Sequence, residues 1–287
     1  MFNYILLVVV VLGVYTQNLC RKQFEVKLKD KDFDFSFQYI LVFLVSAFVF
    51  LGIIYVFKFS FCLETIAYSF IFSITFSVAI IASFYAIKNG PLSLTVLISY
   101  LSLLLPVIYG LFFLGESISI IGIIGLILLF VSLFLINKLE KGIKINKKWL
   151  IAVIIYFFAN GGNYIIQKEH QLNVEGDYTI CFQFFAMLFA IIIIGSAILI
   201  TKRKGFRKLF RNKGYFACIS GVANAIANVS MLYLASNLKA VILYPVVSAG
   251  GIILTFITAI TLFRERLNKW QYIGYFCGVC SVVLLNL

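Results

Sequence analysis

Four asparagines lie inside otherwise apolar stretches of this chain, and their spacing is its first sign of chemistry. Asn160 and Asn163 are three residues apart and Asn224 and Asn228 four apart, so each pair shares one face of a helix. A carboxamide both donates and accepts hydrogen bonds, which suits a polar solute without net charge. Tyr244, Pro245 and Ser248, followed by Gly250 and Gly251, form a second group, where proline and paired glycines can either break a helix at a cavity wall or make an ordinary kink packed by its neighbours. Tyr100, in the stretch that also holds Pro106, can line the same cavity. The candidate solute-binding residues are Asn160, Asn163, Asn224, Asn228, Tyr244, Ser248 and Tyr100. Two roles are open to the asparagines, solute contact or bonding between helices, the latter worth ~0.6 kcal/mol per contact.

Catalytic chemistry lacks its parts. The single histidine, His170, reads as a loop residue, and Cys277-Gly-Val-Cys280 sits in an apolar run without a basic neighbour to activate a thiol. No catalytic residue, metal or cofactor is expected, and the chain does not read as an enzyme. No Asp, Glu, Lys, Arg or His falls near the middle of an apolar run, which predicts a facilitator or exchanger rather than a proton-coupled pump.

The elements that position these residues follow from composition. Of 287 residues, 63% are hydrophobic and 12% charged, against roughly 45–50% and about 25% in soluble domains. A mean hydropathy of +1.06 requires that the excess face lipid. Apolar runs occupy about 2–20, 37–57, 64–87, 92–114, 118–137, 148–167, 178–200, 214–236, 240–263 and 270–286. They are too uniformly apolar for barrel strands, and helices satisfy their own backbone groups in lipid. The predicted fold is an all-α integral membrane protein of ten transmembrane helices, the first a retained span and not a cleaved signal.

The net charge of +13 is not a nucleic-acid signal, because the basic residues sit in loops between runs. The odd-numbered loops carry 21 of the 24 lysines and arginines; Lys58, Lys168 and Lys239 fall in even-numbered ones. The positive-inside rule then places odd loops, including the run from Lys202 to Lys213, in the cytoplasm of a cell-membrane protein, with both termini outside. Membrane lipids and a small solute are the expected partners.

The second half repeats the first. At a shift of 149, Ser99 falls on Ser248, Glu116 on Glu265, Gly125 on Gly274, Ser132 on Ser281 and Asn137 on Asn286. Residues 1–138 form one five-span repeat, 139–147 a basic connection and 148–287 the second repeat. Five is odd, so the second copy enters the membrane inverted, the build of many secondary transporters.

Leu114-Gly115-Glu116-Ser117 followed by Gly125 and Ser132, its second copy at Phe263-Arg264-Glu265-Arg266-Leu267 with Gly274 and Ser281, and the turn Tyr85-Ala86-Ile87-Lys88-Asn89-Gly90 resemble the drug/metabolite transporter superfamily, in its EamA-type ten-helix branch. The resemblance spans essentially the whole chain and implies transport of small metabolites, amino acids or drugs. Arg264 departs from the glycine usual before the second glutamate, and the charge count departs from the termini-inside arrangement usual in the superfamily. Glu116 and Glu265 are expected to cap the starts of spans five and ten. Gly274-x-x-x-Gly278 is expected as a close-packing face, with the last helices a candidate homodimer contact. The reading is a secondary transporter of a small neutral or zwitterionic solute, with a lipid-linked-substrate flippase or a non-transporting scaffold as the alternatives.

Overall fold

The computed structural model describes residues 2–27, 33–89, 92–136, 146–200, 214–261 and 268–285. Its helices are α1 (Phe2–Lys27), α2 (Phe33–Phe57), α3 (Leu63–Asn89), α4 (Leu92–Leu101), α5 (Leu104–Phe113), α6 (Ile120–Ile136), α7 (Lys147–Asn173), α8 (Thr179–Ile200), α9 (Tyr215–Asn237), α10 (Ala240–Thr261) and α11 (Lys269–Leu285). They fall on the ten apolar runs, the fourth split into α4 and α5, and no strand occurs among the described residues. The protein is an all-α membrane protein. Much of α2 and all of α3, α7, α8 and α9 are long and apolar enough to cross a bilayer.

Local sequence sets the helix ends. Asn146 starts α7, its Oδ1 accepting from Lys148 N at 3.0 Å. Asn268 and Gln271 cap the start of α11 reciprocally, each backbone N–H donating to the other's side-chain oxygen at 2.9 Å. The break between α4 and α5 belongs to Pro106, which has no N–H to give the carbonyl of Ser102. Leu105 N takes that carbonyl at 3.1 Å and Leu103 N takes that of Tyr100 at 3.2 Å, the tighter pitch of a 3₁₀ turn.

Of the two outcomes open at Pro245, the break does not occur: α10 continues through it to Thr261. The proline costs one bond, to Val241 O, and packing against α1, α5 and α11 holds the rest. Gly250 and Gly251 serve contact instead, the first against Val11 and the second against the ring of Tyr100.

The bundle is apolar outside and polar in parts of its interior. Phe57, Phe112, Ile120 and Ile200 are each about four-fifths exposed, whereas Ser69, Ser73, Ser102, Gln167 and Ser281 are fully buried. Lipid does not squeeze apolar helices together, so small side chains and interhelical hydrogen bonds do that work.

Helix neighbours follow a pattern. The dominant partners are α6 with α11, α1 with α9 and α3 with α7, then α2 with α9 and α3 with α8; α2 also packs on α8 and α5 on α10. Exchanging the first five runs with the last five turns each pair into another of the set or into itself. The α6–α11 pair uses the small residues seen in the sequence: Gly125 and Gly274 are buried, and a Cβ on Gly278 would stand 2.9 Å from Ser132 Oγ. The Gly278 end of the Gly274-x-x-x-Gly278 face therefore meets α6 of the same chain.

Two large apolar clusters fill the bundle. One gathers Val10, Val107, Leu129, Tyr244 and Ile252, the other Ile40, Leu44, Phe72, Phe182 and Ile194. Residues of both clusters wall a central cavity.

Candidate solute site

On α7, Tyr156, Asn160, Asn163 and Gln167 recur at steps of four, three and four and lie on one helix face. That face borders a cavity of about 160 Å³, with Ser220, Asn224 and Asn228 of α9 and Gln17 of α1 among the other polar walls. Phe72, Phe76 and Phe84 of α3 supply aromatic wall, the first two stacked at 5.6 Å between centroids. No Asp, Glu, Lys, Arg or His is among the lining residues described.

The four asparagines meet at this cavity and also bond across helices. Asn160 Nδ2 donates to Ser102 Oγ at 2.6 Å, at the α4–α5 break, and Thr75 Oγ1 donates to Asn163 Oδ1 at 2.5 Å. Gln167 Nε2 donates to Asn228 Oδ1 (3.1 Å), Asn228 Nδ2 to Asn224 O (3.0 Å), and Asn224 Nδ2 to Gln17 Oε1 (3.0 Å). Gln17 Nε2 closes the series on Gly13 O at 3.3 Å. The result is a relay of carboxamides running from α7 through α9 to α1.

Three expected residues stand away from the lining. Tyr244 is fully buried, donates its hydroxyl to Tyr164 O at 3.0 Å and packs on the Tyr164 ring. Ser248 is buried in the α10 packing, where Val247 is the residue that reaches the cavity. Tyr100 lies against Gly251. All three sit on neighbouring helix faces whose sides are taken up by packing. Conversely, Gln167 extends the Asn160–Asn163 face by one turn, a signal hidden because the apolar run ends there.

Just beyond Gln167 the chain reads Lys168-Glu169-His170-Gln171, and this is not loop. It completes α7, and each side chain has a partner on another element. Lys168 Nζ lies 3.5 Å from Glu116 Oε1 and donates to Ala235 O at 2.9 Å and Leu238 O at 2.8 Å. Glu169 Oε1 accepts from Tyr109 OH at 2.7 Å. His170 Nε2 is 3.0 Å from Thr65 Oγ1, its ring against Phe182 and Tyr68. Gln171 Nε2 reaches Thr179 Oγ1 at 3.4 Å. The reading of Lys168 and His170 as loop residues is therefore corrected: both belong to the last turns of α7 and are at most 5% exposed.

Glu116 is a cap, but for a different helix from the one expected. Its carboxylate accepts from Ala240 N at 2.9 Å and Val241 N at 3.0 Å, the first amides of α10 and not of α6. Gly115 makes the approach, since its φ of +62° is left-handed backbone. Gly110 makes room, because a Cβ there would stand 2.7 Å from Glu116 Oε2. Glu116 thus holds the start of α10 while Lys168 holds the end of α9. Glu265, its counterpart in the repeat, lies outside the described residues.

The sequence matches the family described as "Sugar transport protein" over residues 28–286. The chain belongs to the sugar transport protein family. This is a membrane transporter family. A protein of known crystal structure superposes with a TM-score of 0.74, covering 98% of this chain and 95% of that one at 12% identity, a likeness of fold alone. No curated protein matches significantly.

Proposed function

We propose that this member of the sugar transport protein family is a secondary transporter that carries a small uncharged polyhydroxylated solute through the central cavity. The carrying observation is a cavity in such a family member whose polar walls are carboxamides and hydroxyls, with no charged side chain among the described lining. Its volume of about 160 Å³ is below the ~300–1,000 Å³ usual for drug-sized ligands. Aromatic faces beside hydrogen-bonding groups suit a sugar ring, which has apolar C–H faces and a hydroxyl rim.

The neighbour pattern supports reading 1–138 and 148–287 as two inverted repeats that exchange access around the midplane. On this reading the kinship extends to the EamA-type drug/metabolite transporters, the odd loops are cytoplasmic, and a homodimer forms through the outward faces of α6 and α11. The Glu116–Lys168 assembly closes the even-loop end in the conformation described.

The test is a stabilisation screen on the purified protein, followed by flux in liposomes. Uncharged sugars are expected to raise the unfolding temperature and to be carried across the bilayer, and Asn160→Ala or Asn228→Ala to lower flux about tenfold at normal expression. Stabilisation by no sugar, with no sugar flux, overturns the reading.

A further inference from the structure

The carboxamide relay has a direction, and the direction specifies a ligand. Each NH2 group along Gln167, Asn228, Asn224 and Gln17 donates one hydrogen to the next acceptor of the series. Two carbonyl oxygens remain. Gln167 Oε1 and Asn224 Oδ1 are buried and accept no hydrogen bond among the described residues, although both residues line the cavity. Gln167 is fully buried and Asn224 is 5% exposed. A buried acceptor without a donor carries its full desolvation cost, so two of them on cavity walls form half of an interaction.

The geometry points to Gln167 and Asn224 as a pair of acceptors that select solutes by their hydroxyl donors. This rests on the proposed transport function and deepens it: the pair reads hydroxyls and rejects anions. A hydroxyl can donate to either oxygen, whereas a phosphate or carboxylate brings only acceptors and meets carbonyl dipoles of its own sign. Neither Lys nor Arg lines the cavity among the described residues to reverse that preference. Lys168, next in sequence to Gln167, is occupied by Glu116 and two α9 carbonyls. The substrate class is therefore the free sugar or polyol and not its phosphate ester or acid.

Binding of aldohexoses and aldopentoses, their single-deoxy analogues and their terminal phosphate esters to the purified full-length protein tests this. The wild type is expected to bind the free sugar, to lose about tenfold in affinity for at least one deoxy analogue, and to lose more for the phosphate ester. In Gln167→Met and Asn224→Ala the free sugar weakens about tenfold. The penalty for the matching deoxy analogue then disappears, a non-additivity that a merely structural role would not give. Deoxy analogues that all bind like the parent, or a phosphate ester that competes equally, overturn the assignment without needing any variant to fold. Variants that weaken every ligand alike also overturn it. Those failures leave sugar transport standing, whereas a wild type that binds no sugar at all removes both.

Discussion

Lys168 is the residue at which a linear reading and the folded chain part most sharply. A Lys-Glu-His-Gln stretch after an apolar run looks like solvated loop, since burying a charge is costly unless it is paired. The partners, Glu116 and the carbonyls of Ala235 and Leu238, lie on other elements and leave no local trace. The asparagines were legible because their spacing reports a shared face within a single helix. Gln167 was legible in principle, as the next step of the same face. Glu116→Ala is expected to release the start of α10 and leave the Lys168 charge without its carboxylate, lowering stability by about 3 kcal/mol. Thermal unfolding in detergent checks it. Adding Lys168→Met is expected to cost less than the sum of the two single changes, because the lone charge is then gone.

At the scale of elements, the position of every apolar run could be read from composition, but the site of the helix break could not. Both Pro106 and Pro245 are candidates by type. Only the first interrupts its helix, where Ser102 bonds to Asn160. Which helices touch is likewise set by surface shape that a hydropathy pattern does not encode. The crossing of α2 and α9 shows this: a Cβ on Gly221 would run into Phe43 O and Ser46 Oγ. Gly221→Ala is expected to push α9 from α2 and cost about 1–3 kcal/mol, read as a lower unfolding temperature and reduced flux. The same change at Gly195, where a Cβ meets nothing within 4 Å, is expected to leave both unchanged.

For the whole molecule, the proposed exchange of access would require that the end held by Glu116, Lys168, Glu169 and Tyr109 come apart during the cycle. Cysteines at Tyr109 and Glu169, introduced after replacing the six native ones, are expected to stop flux when joined by a short bifunctional maleimide and to restore it when left unjoined. Flux unaffected by complete cross-linking would show that this end stays shut. Sidedness has its own test: a cysteine placed between Lys202 and Lys213 should resist membrane-impermeant reagent on intact cells and react after permeabilisation. Labelling of intact cells would reverse the assigned orientation. The pairing of α1 with α9 and of α3 with α7 adds that neither half of the chain is a self-contained body, since each lends its principal helices to the other.

That interleaving has a consequence for how the protein is made. Asn224 Nδ2, which bonds Gln17 on the first helix, lies 207 residues further along the chain. The amide of Ala240 that takes the Glu116 carboxylate comes 124 residues after it. During synthesis the earliest helices thus wait in the bilayer with polar groups uncommitted until most of the polypeptide has followed. Ribosome-stalled chains ending before residue 224 should therefore remain accessible to membrane chaperones and proteases, and protection should arrive late and together for both halves.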